Sequence, residues 1–440
     1  MNKTNREILH IAIPAIISNI TVPLLGLVDV TITGHLGNVS YIGAIAVGGM
    51  LFNMIYWIFG FLRMGTGGMT SQAYGGKNET ECRHILFRSV TISLALAVTL
   101  ILLQFPINRI AFIFIDTSEE VKLYASEYFH ICIWGAPAVL GLYSFTGWFI
   151  GMQNSRYPMF IAIAQNIINI AASLFFVLGT GMKIEGVAYG TLIAQYAGLF
   201  MALFLAGKYV KRPVQHDSVK NIFNRKSMAD FFRVNRDIFF RTLCIVAVTV
   251  FFTSSGAGYG DTTLAVNTLL MQMFTIFSYI MDGFAYAGEA IVGKYVGSRD
   301  KYNLRKTIRH LVCWGTGVAV LFTLLYSIGG KGFLGLLTNE TNVINSSSEY
   351  YYWVLAIPFA GFMAFILDGI CIGATATGIM LRSIFIASVT FFITFYTMNG
   401  TLGNHSLWLA FIIYLFVRGN VQAWLTYRFF KVWLSGQLTR

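Results

Sequence analysis

Gly60-Phe61-Leu62-Arg63-Met64-Gly65 returns as Gly283-Phe284-Ala285-Tyr286-Ala287-Gly288, 223 residues further along the chain. A one-residue gap brings the offset to 222, where Gly75, Lys77, Asn78 and Arg83 meet Gly297, Arg299, Asp300 and Arg305. Pro137 then meets Pro358 at 221, and Gly147-x-x-x-Gly151 meets Gly369-x-x-x-Gly373 at 222. Such patches, in one order and at nearly one spacing, describe a chain that carries the same plan twice.

Composition says what the plan is made of. Charged residues are 11% of the chain and apolar residues 56%, against roughly 25% charged in an ordinary soluble domain. So few charges cannot cover a water-soluble surface of this size. The 43 glycines suit helices whose backbones approach closely in lipid. Apolar runs of about twenty residues, the length that crosses a bilayer, fall at 11–33, 41–66, 85–107, 128–150, 158–179, 186–207, 238–259, 263–293, 308–330, 350–373, 381–400 and 405–427. The predicted fold is therefore an all-α polytopic membrane protein with twelve transmembrane helices. Six spans separate equivalent positions, and six is even, so each copy crosses the membrane in the same sense. Two six-helix lobes related by a pseudo-two-fold axis along the membrane normal are expected. Residues 1–207 form the first lobe, 208–237 a cytoplasmic linker, and 238–440 the second lobe. The linker is basic and holds Pro213, His216 and Asp217, then an amphipathic stretch around Phe231, Phe232 and Ile238. Such a stretch suits the membrane surface or a solvated tether.

A net charge of +12 raises the question of nucleic acid, and its distribution answers it. With the gaps between spans taken alternately, one side collects twenty-six basic residues, including Arg88, Arg241 and Arg418, and the other side four. Arg63 lies inside a span. This is the positive-inside pattern with both termini cytoplasmic. The first apolar run extends from Ile11 to Ile32, too long for the core of a cleavable signal peptide and without a small-residue cleavage site. It reads as a retained span. Cys82, Cys132, Cys244, Cys313 and Cys371 are odd in number and scattered, so neither a disulfide framework nor a zinc site is indicated.

Ionisable side chains inside spans cost several kcal/mol and are functional suspects. They are Asp29, Arg63, Asp282, Glu289 and Asp368. Asp29 stands in the outer half of the first span, six residues after Pro23. Proline removes a backbone donor and favours a kink, and a carboxylate in a dry setting resists ionisation and so can exchange protons near neutral pH. Arg63 reads either as a snorkelling cation near a span end or as a counter-ion. Asp282 and Glu289 are seven residues apart and share one helical face, suiting a cation pathway, with Glu289 alternatively facing cytoplasmic water. Asp368 precedes the repeated glycine pair. Span five carries Gln165, Asn166, Asn169 and Ser173, of which Gln165, Asn169 and Ser173 form one stripe. Such groups line a cavity or bond neighbouring helices. Asp29 needs polar neighbours, and span five is a suitable supplier.

Aromatic residues at 15% and 16 methionines would suit flat, lipophilic cations through cation–π contact and adaptable packing. Most must face lipid or pack helices. No G-x-x-x-x-G-K-[ST] occurs, which argues against ATP as the direct energy source, and neither H-E-x-x-H nor G-x-S-x-G is found. These absences argue against an enzyme.

The stretch Ser18-Asn19-Ile20-Thr21-Val22-Pro23-Leu24-Leu25-Gly26-Leu27-Val28-Asp29, followed by Gly34-His35-Leu36, resembles the first span of multidrug and toxic compound extrusion (MATE) transporters, within them the DNA-damage-inducible F (DinF) branch. Phe61-Leu62-Arg63-Met64, with Gln72-Ala73-Tyr74-Gly75-Gly76-Lys77-Asn78, is similar to the same branch. The resemblance implies two V-arranged six-helix lobes and a cation-driven antiporter that exports small organic cations or amphiphiles. It implies no cofactor beyond a transported proton or sodium ion. It also makes Asp29 the coupling carboxylate, with Asn169 and Ser173 beside it. Family members often read Asn-x-x-x-Asp where this chain has Asn169 and Ser173, so the second acid is missing and single-proton exchange is the simpler reading. The expected setting is the cytoplasmic membrane, as a monomer among lipids, with no nucleic-acid partner. The alternative is a flippase for lipid-linked saccharides, which predicts a strongly cationic central cavity. The intramembrane acids outnumber Arg63 and argue against it. A major-facilitator carrier would show a D-R-x-G-R-R-like loop, unlike Gly75-Gly76-Lys77-Asn78, and a channel would show a filter repeat.

The scaffold repeats and its charges do not. Asp282, Glu289 and Asp368 align with Phe59, Thr66 and Thr146, and Arg63 aligns with Tyr286. Ion coupling is expected in the first half.

Overall fold

The structure, a computed structural model, describes residues 3–34, 38–115, 117–209, 219–335, 337–338 and 340–435. Within lipid every backbone N–H and C=O must be satisfied inside its own segment, which leaves helices or closed barrels. Among the described residues every regular element is helical. The first half holds α1 (Lys3–Gly34), α2 (Val39–Ile58), α3 (Phe61–Gly75), α4 (Glu79–Leu102), α5 (Gln104–Phe114), α6 (Glu119–Cys132), α7 (Ala136–Gly151), α8 (Arg156–Leu174) and α9 (Ile184–Tyr209). A short helix, α10 (Val219–Ile222), follows. Then come α11 (Arg225–Ala257), α12 (Asp261–Gly297), α13 (Lys301–Gly335), α14 (Thr341–Ser347), α15 (Tyr351–Gly373), α16 (Thr377–Leu402) and α17 (Asn404–Ser435). Eleven stretches of the described residues are long and apolar enough to cross a membrane. One of them joins α2 to α3 as Ser40–Gly75, and another joins α6 to α7 as Glu119–Gly151. The 32-residue α1 covers the predicted first span and completes the twelve-span fold.

The chain forms two compact units, Ile17–Phe232 and Met1–Ile16 with Arg233–Arg440. The first sixteen residues thus group with the second half: Tyr295 donates to Glu7 at 3.0 Å, and Trp314 donates to Asn5 at 3.4 Å. The amphipathic stretch expected at the membrane surface is the opening of the long α11. Phe231 and Ile238 are buried there, and Phe232 is exposed. Pro213, His216 and Asp217 lie outside the described residues, as do His35 and Leu36.

The duplication is visible inside each unit. A Cβ on Gly147 would sit 2.1 Å from the Arg63 carbonyl oxygen, and one on Gly369 2.0 Å from that of Ala285. A Cβ on Gly151 would fall 2.6 Å from the Thr70 side chain and 2.8 Å from the Gly67 carbonyl oxygen, and one on Gly373 2.6 Å from that of Glu289. In both halves the missing side chains let two helix backbones touch. The helix ends match as well. Lys77, Arg299, Gln153 and Thr375 all adopt positive φ, between 50° and 64°. Each follows a helix whose last carbonyls accept from residues five and four positions on, as in Ala73 from Asn78 and Tyr295 from Asp300. This is the left-handed helix stop usually given to glycine.

Candidate functional site: a buried carboxylate in each half

Asp29 lies on α1, four residues before Thr33, whose hydroxyl donates to the Asp29 carbonyl at 2.9 Å. The helix runs through Pro23 without a break. Asp29 is 5% exposed. Thr191 on α9 donates its hydroxyl to Asp29 Oδ2 at 3.5 Å, and Asn169 on α8 donates its amide to Thr191 at 2.9 Å. Tyr128 and Cys132 of α6 lie within electrostatic reach of the carboxylate. Asp29 Oδ1, Asn169 Oδ1 and Ser173 Oγ are buried without a hydrogen-bond partner. Among the described residues no Lys, Arg or His forms an ion pair with Asp29. The arrangement is a desolvated acid held by neutral groups.

The polar stripe of α8 meets a single neighbouring helix. Ser173 packs on Gly190, Asn169 bonds Thr191, and Gln165 fills the notch at Gly198, where a Cβ would fall 2.5 Å from its amide carbon. Asn166 turns to α1 and donates to the Thr21 carbonyl at 2.9 Å. Gln165 and Asn166, expected as cavity-lining candidates, make these helix–helix contacts and are half-buried. Directly after Ser173 the helix loosens into a π-turn, Phe175–Gly179, a form frequent near functional sites.

Two other expectations change. The Arg63 helix continues to Gly75, so the side chain is far from a span end, and it is buried at 8% exposure. Its burial argues against snorkelling and in favour of the counter-ion reading. Glu289 is fully buried within α12, at 0% exposure, and does not face cytoplasmic water. Asp282, one face and two turns away, is partly exposed.

The second half holds Asp368 on α15, also 5% exposed. Here Arg241 of α11 and Arg418 of α17 both bond Oδ2, and Gln422 donates to Oδ1 at 2.9 Å. Cys371 and Thr426 continue the cluster at 3.3 Å. Arg241 and Arg418, assigned from sequence to the cytoplasmic side, are 7% and 5% exposed. Arg88 is likewise buried, bonded to Glu81 at 2.7 Å and to the Ile222 carbonyl. Arg63 is therefore not the single cation within the predicted spans, because Arg88, Arg241 and Arg418 are buried there too and with Arg63 match the four acids in number. Removing these three from the twenty-six basic residues expected on one side leaves twenty-three against four.

A family model described as MatE matches residues 14–175 and 238–397, one block in each half. The chain belongs to the MatE family. It is a multi-pass membrane transporter and not an enzyme. DNA damage-inducible protein F of Escherichia coli K12 is 36% identical over 425 residues, covering 95% of this chain and 91% of that protein. A probable multidrug resistance protein NorM from Photorhabdus laumondii is 22% identical over 400 residues, covering 87% and 84%. A solved structure of MATE in the bent conformation superposes with a TM-score of 0.87 at 18% identity, over 99% of this chain and 98% of that one.

Sequence reasoning missed several residues of this MatE chain. Thr191 escaped because one hydroxyl in an apolar span carries no charge signal. The Gly186-x-x-x-Gly190 spacing just before it marks the face that approaches α8. Arg241 and Arg418 escaped because each was counted by the nearest gap between spans rather than by its place in its own apolar run. The buried amide pair Asn267–Asn404, bonded at 2.8 and 3.0 Å with Trp408 donating to Asn267 at 2.8 Å, was not singled out either.

Proposed function

We propose that this transporter is a proton-coupled antiporter that exports amphipathic or cationic organic compounds across the cytoplasmic membrane by alternating access, with Asp29 as the coupling group. The observation that carries the proposal is Asp29 itself, buried, bonded by neutral groups and without a counter-cation among the described residues. A charge in such a place is costly, and a proton discharges it at the least structural cost. Asp368 is already neutralised by two arginines and has no such need. Ser173 in place of a second acid leaves one titrating carboxylate in the first-half cluster, which suits one proton per cycle. The substrate class is supported by the multidrug resistance relative and by the chain's aromatic and methionine content. The charge asymmetry supports both termini in the cytoplasm.

One observation favours sodium as a second reading. Asp29 Oδ1, Asn169 Oδ1 and Ser173 Oγ are three buried oxygens without partners in one cluster, and hard cations take oxygen ligands. A flippase, by contrast, calls for exposed cationic lining, and the buried arginines of the second half are committed to Asp368.

The test is uptake of a fluorescent lipophilic cation into inverted vesicles, with proton and sodium gradients imposed separately. Wild-type protein should respond to the proton gradient, and Asp29→Asn should lose at least about tenfold of that rate, the loss of roughly 1.4 kcal/mol or more of coupling. Gradient-driven transport by Asp29→Asn at the wild-type rate overturns the assignment. A response to sodium alone transfers the role to sodium.

A further inference from the structure

Outside the two carboxylate clusters, a cavity lies along the opening turns of α13. It measures about 910 Å³ and is lined by Lys301, Tyr302, Arg305, Lys306, Arg309 and His310, with Cys313 at its far end. No acid occurs between residues 301 and 311. Lys301 donates to the Leu434 carbonyl at 2.6 Å, and His310 Nδ1 donates to that of Lys306 at 2.7 Å. Arg305 and Arg309, one turn apart and exposed, meet no carboxylate among the described residues.

The equivalent turns of α4 show that the repeat does not require this. At the 222 offset Lys301 aligns with Glu79, Arg309 with Phe87 and His310 with Arg88. There Glu81 neutralises Arg88, and both acids stand in the first turn. The plan thus tolerates a balanced helix opening at this place, and the second half has a cationic one instead. Beyond the cavity the same face turns apolar. Cys313, Thr316, Gly317, Val320, Leu321 and Leu324 are exposed in succession, and a Cβ on Gly317 would meet nothing within 4 Å. A cationic groove that continues into an exposed apolar stripe fits a ligand with an anionic head and a hydrocarbon tail better than a soluble anion.

We propose that this groove binds an anionic phospholipid, its phosphodiester between Arg305 and Arg309 and an acyl chain along the stripe from Cys313 to Leu324. Placement in the cytoplasmic leaflet rests on the orientation given under Proposed function, while the groove itself does not. Basic side chains near an anionic membrane surface favour such lipid by about fivefold each, so removing two should weaken retention about thirtyfold.

The test uses the intact protein in nanodiscs of phosphatidylglycerol or of phosphatidylcholine, without any gradient, so that transport coupling does not enter. Cys313 is the exposed cysteine and Cys244 is only partly buried, so N-ethylmaleimide labelling in a Cys244→Ser background reads Cys313. Labelling should be several-fold slower in phosphatidylglycerol. In Arg305→Gln/Arg309→Gln the difference should vanish, and co-purifying phosphatidylglycerol measured by native mass spectrometry should fall about thirtyfold in affinity. Equal labelling in the two lipids overturns the proposal. So does a slowing that persists in the double variant, because that reports bulk surface potential, and so does equal protection by inorganic phosphate in phosphatidylcholine discs, because that reports a free-anion site. Labelling of Cys313 by an impermeant maleimide from outside the cell would overturn the leaflet and the orientation, leaving the disc comparison to judge the groove.

Discussion

Each half buries a carboxylate at the same 5% exposure, Asp29 in the first and Asp368 in the second, and the two are treated in opposite ways. Asp29 is held by a hydroxyl, itself bonded by an amide, and has no counter-cation among the described residues. Asp368 is clamped by Arg241, Arg418 and Gln422. The glycine-closed helix pairs α3–α7 and α12–α15 repeat, yet Asp368 stands on one of them with its charge locked, while Asp29 stands apart on α1, against α9 and α8, with its charge left to be discharged. Repetition of a fold therefore constrains backbone approach and helix ends, and leaves the polar chemistry of each copy free to diverge.

The largest effect should separate these two acids by stability rather than transport. Asp368→Asn leaves two buried guanidinium groups facing a neutral amide, and breaking such a cluster costs about 3–5 kcal/mol. Asp29→Asn removes a buried charge that has no counter-ion, so stability should stay within about 1 kcal/mol of wild type or rise. Thermal unfolding in one detergent would measure both. A large loss in Asp29→Asn with little in Asp368→Asn would reverse the comparison.

Next come the glycines that make the halves alike. Alanine at Gly147 or Gly369 places a methyl about 2 Å from a backbone oxygen, and backbone cannot move aside as a side chain does. Each substitution should cost about 1–3 kcal/mol or more, and by nearly equal amounts. Tolerance at one site with collapse at the other would mean that the two helix pairs do not bear the same load. A smaller contrast lies in the left-handed stops. Thr375 is β-branched at a φ of 50° and its counterpart Gln153 is not, so Thr375→Gly should stabilise by about 1 kcal/mol and Gln153→Gly by less.

Much of this was legible in the sequence, for reasons particular to each element. The repeated Gly147/Gly151 and Gly369/Gly373 pairs announced close backbone contact because only glycine permits it. The polar stripe Gln165–Asn169–Ser173 announced a shared neighbour because 3.6-residue periodicity puts all three on one face. The neighbour itself was not legible. Thr191 is identified by tertiary packing of α9 on α8, which no spacing within α8 encodes. The arginine clamp was hidden for a different reason. Arg241, Asp368 and Arg418 lie on three helices far apart in the chain, and a basic residue close to a predicted span end looks the same whether it faces water or an acid. The first sixteen residues grouped with the second half because Asn5 and Glu7 bond Trp314 and Tyr295, long-range pairs with no local signature.

The subtlest contrast is between two helix caps at equivalent positions. Asn78 opens α4, its side-chain oxygen accepting from the Glu81 N–H at 2.9 Å. Asp300 opens α13, accepting from the Asn303 N–H at 3.0 Å and from the Asn303 amide at 2.6 Å. Both are preferred capping residues, but only the second titrates. The two donors from Asn303, the backbone N–H first, hold the Asp300 carboxyl below the usual carboxylate range. Its folded-state value lies below its unfolded one, so its contribution is present above the ordinary value of about 4 and is lost as pH falls through the lowered value. The expected size is at most about 1 kcal/mol. Hydrogen exchange of the first-turn amides of α13, taken relative to those of α4, should therefore be flat from pH 7 to about 5 and lose protection only below about 4. Asp300→Asn should keep the cap and flatten the ratio throughout. A ratio that already changes near pH 6 would assign the titration to a group other than Asp300 and would move the pH sensitivity away from the cap.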